Sequence, residues 1–468
     1  MTLKLTTTNI FYFMRRHYLL TAVTFFLLLT ITSCQNAKEN HFVSDFNSTT
    51  ERTWIGPEYW SNPLQDWQIK DGALECLVSK KNRNVHILTK KLDAVKGNVK
   101  MKVDFQLFHR DTVDNSKNWI GFSIGSKGQF NDYRDNAVFG KGLNVGITTN
   151  GNLFIGKVPI KTEWNNNFDE VLKRGATLEV TIEATEKGYD LKLSLLFQNK
   201  LMHRLEKNDI SPEKMAGDMV LVSHYDTKRK DPKQHQKSVS FKNWEISGSK
   251  IRTHSEYTFG PVLFSQYTLS KKTLKLTAQM APVILNEEKV RLQVKEHEAW
   301  KTIKEVAIDT DARTATFKIE NWIAEKNIPY RIAYKMDKGS KPKKEYYWEG
   351  VIREDPTNKE EIVVAGFTGN DHLGFPNTDI TSQVAYHNPD VLFFSGDQIY
   401  EPTGGYGAQR FPHDKATLDY LRKWYMYGWA FRDLMKDRPT ISITDDHDVY
   451  HGNIWGAGGK ATPKAFGQ

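Results

Sequence analysis

Cysteine is nearly absent: Cys34 and Cys76 are the only two in 468 residues. A disulfide scaffold is therefore excluded, and so is a metal site built on several thiolates. Long apolar runs are also scarce. The longest, Tyr18 to Ile31, has 14 residues, too few to cross a bilayer comfortably as a helix. One-sided charge is missing too, with 65 basic residues against 56 acidic ones and no basic stripe interleaved with aromatics. Nucleic acid is not an expected partner on that pattern. The most basic stretch, Lys228 to Lys237, reads as a solvated loop. What remains is a chain long enough for two or three ordinary hydrophobic cores.

The apolar run suits the central region of a secretory signal, with Met14, Arg15 and Arg16 as its positive start. Met14 is the expected initiator, because Met1 to Phe13 makes a poor leader. The run closes on Ile31-Thr32-Ser33-Cys34, which resembles a bacterial lipobox, followed by a polar QNAKEN tether. Residues 1–33 are expected to be a signal peptide and 34–41 a tether lipidated at Cys34. That implies an exported lipoprotein held at the cell envelope, in the periplasm or at the outer membrane. Without the first 33 residues the charge falls to 62 basic against 56 acidic, mild for this length.

From 42 to 250 the pattern is almost all strand. Val99, Met101, Val103, Phe105 and Leu107 alternate with polar residues, the period of a half-buried strand. Hairpins are expected at Asn150-Gly151 and at Lys187-Gly188. The closing segment, Ser238 to Ser247, and the strand spacing resemble the concanavalin/laminin-G type of jelly roll. That resemblance implies an all-β sandwich that binds carbohydrate or acts as a spacer. No pair of strand-borne carboxylates suited to glycoside hydrolysis is present, which argues against a glycosidase. Trp54, Trp60, Trp67 and Trp119 offer sugar-stacking surfaces, although core packing is the simpler account.

Residues 253–355 read as a second all-β unit, with Thr273–Ala278, Val290–Lys295, Thr314–Ile319 and Tyr330–Lys335 alternating at sandwich spacing. It resembles an immunoglobulin or fibronectin III-like domain, opened by Phe259 to Ser265. The grammar changes at Asp355-Pro356. Glu361 to Phe367 and Val391 to Phe394 are continuous apolar strands of the kind buried on both sheet faces. Asp379 to Tyr386 reads as a short helix, Lys415 to Lys436 as a long amphipathic one, and Thr440 to Ile443 as a third strand. An α/β layer follows, with any ligand site just past the strands' carboxyl ends.

All three strands end in polar, metal-competent clusters: Asn370-Asp371-His372, Gly396-Asp397 with Tyr400-Glu401, and Asp445-Asp446-His447-Asp448. One such end is ordinary turn chemistry, whereas three consecutive ones, two carrying His, suit a divalent ion. Gly396 lets the chain turn sharply before Asp397. The blocks Gly396-Asp397-x-Ile399-Tyr400-Glu401 and Asp445-Asp446-His447-Asp448 resemble those of alkaline phosphatase D (PhoD)-like metallophosphatases, within the calcineurin-like superfamily. The resemblance covers about Ile362 to Lys460. It implies Asp397 as the carboxylate bridging two metals, Tyr400 as a further ligand and Asp446 as ligand of the second metal. It implies His447 as the acid facing the leaving group, oriented from behind by Asp448. The first block departs from the family's D-x-H, so either Asn370 or Asp371 joins His372 as ligand.

The implied cofactors are two metal ions of the Fe, Mn, Zn or Ca kind, and the implied substrate is a phosphomonoester or phosphodiester. Trp455, Tyr406 and Arg410 are candidate rim residues. The superfamily's closing G-x-H-x-H block is not found after Asp448, so residues 356–468 are expected to be the first half of a metallophosphatase domain, with doubtful activity alone. The competing expectation is a surface carbohydrate-binding lipoprotein whose phosphatase fragment is vestigial.

Overall fold

The computed structural model describes residues 40–449, apart from 45, 112, 162, 164, 166–167, 229–230, 286–287 and 339–340. The signal segment, Cys34 and Trp455 lie outside the described residues.

Two antiparallel sheets make the N-terminal sandwich. One runs in the order Lys200–Ile210, Tyr189–Phe197, Ala176–Ala184, Val99–Leu107, Val239–Ser247, Ala73–Cys76, Trp67–Lys70, with His41–Val43 beside Val239–Ser247. The other runs Ile251–Thr253, Arg83–Leu92, Gly217–His224, Trp119–Lys127, Lys141–Thr148, Leu153–Ile155, with Tyr59–Asn62 beside Arg83–Leu92. The alternation of Val99 to Leu107 has its expected consequence: its five apolar side chains are buried in the inter-sheet core, while Lys100 and Gln106 are exposed. Both hairpins form, with Ile147 opposite Leu153 across Asn150-Gly151 and Ala184 opposite Tyr189 across Lys187-Gly188. Two short helices interrupt the strands, α1 (Tyr133–Phe139) and α2 (Asp169–Arg174).

A second unit has one sheet of Val262–Ser270, Thr273–Met280 and Thr314–Ile319. Its other sheet orders Ala299–Val306, Val290–Glu296, Ile328–Lys338 and Lys341–Ile352. After it come three parallel strands in sequence order, Val364–Phe367, Val391–Phe394 and Thr440–Ser442. The helices α3 (Thr378–His387) and α4 (His413–Met435) connect them.

Two expectations fail here. The first strand begins at Val364, not Glu361, and is not buried on both faces: Val363 is 47% exposed and Val364 56%. Helix α4 covers the face carrying Phe367 and Phe394, and the face carrying Val364 and Ile441 stays open among the described residues. Helix α4 is likewise more than one-sided, since Tyr425 to Phe431 are buried without a break. It is a hub. Phe264 of the second unit meets Trp424 (6.2 Å between ring centroids), Phe394 of the sheet meets Tyr427 (5.1 Å), and Trp60 of the sandwich meets Trp429 (4.9 Å). One continuous core thus runs from Trp54, Trp60 and Leu88 of the sandwich through the second unit to the α/β layer. That core fixes where the strand ends sit.

Candidate metal centre

The second strand stops at Phe394, and Gly396 follows with φ 113°, a conformation that favours glycine. A β-carbon there would lie 2.4 Å from Asp445 Cβ, so the glycine also lets the second and third strand ends close on each other. Asp397 sits at φ 54°, an uncommon left-handed conformation held by its surroundings. What holds it is Asp448. This buried carboxylate accepts from the backbone N–H of Asp397 (2.7 Å), Gln398 (2.9 Å), Ile399 (3.3 Å) and Asp445 (3.0 Å). The first strand end is tied in by the Asn370 N–H, which donates to the Asp397 carbonyl at 2.9 Å. Helix α4 is tied in by the Tyr420 hydroxyl, which donates to the Asp448 carbonyl at 2.7 Å.

On this frame Asp397, Asp446 and His447 each offer one ligand atom, all within 4.8 Å of one another and half-buried. The Tyr400 hydroxyl donates to Asp397 Oδ2 at 3.1 Å, and its ring lies 4.4 Å from the His447 imidazole. Glu401 Oε2 is 2.8 Å from His447 Nδ1. Burial, reinforced by the Asp397 hydrogen bond, pushes the Tyr400 phenol up to about 12, which keeps it protonated at neutral pH. Burial alone would lower the His447 pKa, but the Glu401 hydrogen bond and the Glu401, Asp397 and Asp446 charges outweigh it and raise it. The Asp397 and Asp446 carboxylates at this spacing fit a hard or borderline divalent ion, with the His447 imidazole beside them.

The first block is arranged differently. Asn370 Oδ1 accepts from Asn377 Nδ2 at 2.9 Å, and Asp371 Oδ1 caps the following turn by accepting the Leu373 N–H at 3.0 Å. His372 stacks on Phe139 of α1, with centroids 5.5 Å apart and planes 23° apart, and burial lowers its pKa. Among the described residues, Asp371 and His372 do not belong to the group of carboxylate and imidazole donors around Asp397. One correction concerns Asp448. It was expected to orient His447, but its two oxygens are taken by backbone amides, and Glu401 occupies the position behind the imidazole.

Tyr406 is no open rim residue. Its hydroxyl donates to the Asn82 carbonyl of the sandwich at 2.9 Å, and its ring lies between the guanidinium groups of Arg83 (5.3 Å) and Arg422 (5.7 Å). Arg410 is exposed. Beneath this loop, Asp419 is buried with Arg422 (3.2 Å) and Lys423 (2.9 Å), and it also accepts from Gln65 Nε2 (3.1 Å). Sequence reasoning missed this cluster, although its i, i+3, i+4 spacing on a helix was visible. It also missed Phe139, which no local pattern connects to His372.

Trp54, Trp60, Trp67 and Trp119 are all buried, so they are core residues and not sugar platforms. The outer face of the first sheet does carry a polar cleft of about 310 Å³, lined by Asp104, Gln106, Arg174, Thr177, Gln198 and Asn199 among others.

No family model and no curated protein matches the chain. Among solved structures, it is similar to the carbohydrate recognition domain of Emp47p, at 12% identity over 45% of this chain and 95% of that one, TM-score 0.29. It is similar to arcelin-5, a lectin-like defence protein from Phaseolus vulgaris, at 11% identity over 45% and 99%, TM-score 0.31. Peanut lectin with a 9mer peptide overlaps at 11% identity over 46% and 99%, TM-score 0.30. The two-sheet architecture rests on the strand pairings themselves.

Proposed function

We propose that this chain carries a metal-dependent phosphoester hydrolase site at the strand ends of its α/β layer. The observation that carries the reading is the convergence of Asp397, Asp446 and His447 within 4.8 Å, on a loop locked by Asp448. Asp397 and Asp446 would hold a divalent cation, with Tyr400 hydrogen-bonded to Asp397 beside them. A bound cation would polarise a phosphoryl oxygen and lower the pKa of a coordinated water. His447, half-buried beside these carboxylates, would give a proton to the departing oxygen. The substrate is a phosphomonoester or phosphodiester, and the lipid anchor at Cys34 would place the reaction at the cell envelope. The test is hydrolysis of p-nitrophenyl phosphate and bis-p-nitrophenyl phosphate by the full chain, with Mn²⁺, Zn²⁺, Fe²⁺ or Ca²⁺ supplied in turn. Turnover that Asp397→Asn abolishes supports the reading; no turnover with any of these ions counts against it.

A second reading assigns carbohydrate binding to the sandwich, favoured by the polar cleft beside Asp104 and Thr177. Two of the solved structures to which the chain is similar are described as a carbohydrate recognition domain and a lectin, which is a property of those proteins. A glycan array probed with the full chain separates the two. Retention of a defined glycan, lost in Asp104→Ala, supports binding, and a blank array removes it.

A further inference from the structure

We propose that Glu401 is the positioning residue of His447, holding the imidazole so that Nε2 is the nitrogen that exchanges a proton with substrate. The proposal rests on the hydrolase reading above and names the residue that orients its acid. The carboxylate next to the histidine in sequence, Asp448, cannot serve: it is 2% exposed, and four backbone N–H groups occupy its oxygens. Glu401 Oε2 lies 2.8 Å from His447 Nδ1, and both side chains are only partly exposed. The Tyr400 ring packs on the imidazole at 4.4 Å with planes 43° apart, so the ring is held on one edge and one face. Both holding groups come from a single turn. Tyr400 N–H donates to Thr403 Oγ1 (3.0 Å), Thr403 N–H returns to the Tyr400 carbonyl (3.1 Å), and the buried Arg422 donates to the Thr403 carbonyl (3.1 Å).

The chemical consequence follows from imidazole geometry. With Nδ1–H donated to Glu401, the second proton of the imidazolium must sit on Nε2. As a water oxygen bonds to phosphorus and gives up a proton to solvent, the bond from phosphorus to the leaving oxygen breaks, and that oxygen keeps the electron pair. The Nε2 proton passes to that oxygen, and neutral His447 keeps its Nδ1–H on Glu401. Carboxylates that orient a histidine at a metal site commonly contribute about 10-fold to 100-fold in activity or metal affinity. Here the contribution is expected in kcat for substrates with poor leaving groups, with KM and metal content unchanged, because Asp397 and Asp446, not Glu401, are the carboxylates that would hold the ion.

The experiment is ¹⁵N NMR of the full chain labelled at histidine, with the His447 signals identified by their loss in His447→Gln. The expected result is an Nδ1–H tautomer in the wild type, retained in Glu401→Gln, whose amide oxygen still accepts. Glu401→Ala is expected to shift it to Nε2–H or a mixture, while metal content measured on the same samples stays level. A metallated wild type whose tautomer ignores Glu401→Ala overturns the proposal alone. Loss of metal in Glu401→Ala also overturns it, by making Glu401 a ligand. A wild type that takes up no metal removes the hydrolase reading and the proposal together.

Discussion

Trp429→Ala tests whether the sandwich, the second unit and the α/β layer share one core. Trp429 is fully buried in α4, 4.9 Å from Trp60 and 4.4 Å from Phe259 between ring centroids, with Tyr133 at 5.8 Å and Phe375 at 6.3 Å. Truncating a buried Trp to Ala costs about 3–5 kcal/mol, combining lost transfer energy with the cavity left behind. Each well-placed aromatic pair adds about 0.5–1.5 kcal/mol beyond area burial. The indole N–H also loses its hydrogen bond to the Tyr133 hydroxyl at 3.3 Å. Because four rings from three parts of the chain meet here, collapse around the gap is restricted, and the upper end, about 4–5 kcal/mol, is expected. That is roughly a thousand-fold in the folding equilibrium. The assay is urea unfolding of the full chain followed by tryptophan fluorescence and by far-UV circular dichroism. Wild type should lose the sandwich and α4 together; the variant should unfold at lower urea or split into two transitions. A loss below about 1.5 kcal/mol, with a single unchanged transition, would refute the shared core, since only a solvated or readily repacked Trp costs so little.

His447→Ala should keep most of its metal while kcat falls about 100-fold to 10,000-fold, the usual range for losing a general acid, and the loss should shrink for nitrophenolate leaving groups. Equal loss for good and poor leaving groups would show that His447 is not the acid. Stability should fall on acidification. Burial, opposed by the Asp218 hydrogen bond at 2.9 Å, lowers the pKa of His86 below its ordinary 6.5. The unfolded chain therefore binds more protons as pH drops through that range, and stability present above 6.5 is lost below it. His109, His224 and His372 shift in the same direction, and His447 in the opposite one. Urea midpoints at about pH 7.5 and about pH 5.5 check this, with a smaller difference expected in His86→Gln. Equal midpoints in the wild type would contradict it.

Much of the sandwich was legible because its information is local. The alternation of Val99 to Leu107 and the turn at Asn150-Gly151 specify a strand and a hairpin without reference to the rest of the chain. The strand-end clusters were legible for the same reason, since Gly396-Asp397 and Asp445 to Asp448 sit directly after apolar strands. Partners brought together by folding were not legible. Glu401 lies 46 positions from His447, and nothing near Asp448 shows that four amides from two loops converge on it. The same limit explains the face of Val364: an apolar run states that a strand could be buried on both sides, while the coverage depends on which elements pack there. It explains His372 too, where a histidine in a plausible ligand position is drawn onto Phe139 instead.

The most direct test of the metal-centre account is the divalent-ion content of the full chain after equilibrium dialysis against Mn²⁺ or Zn²⁺, measured for wild type and Asp397→Asn. The account predicts one tightly held ion in the wild type and its loss in the variant, because Asp397 is the carboxylate that Tyr400, His447 and the Asp448-locked loop all converge upon. A wild type that retains no ion, or an Asp397→Asn variant that retains as much as the wild type, would contradict it.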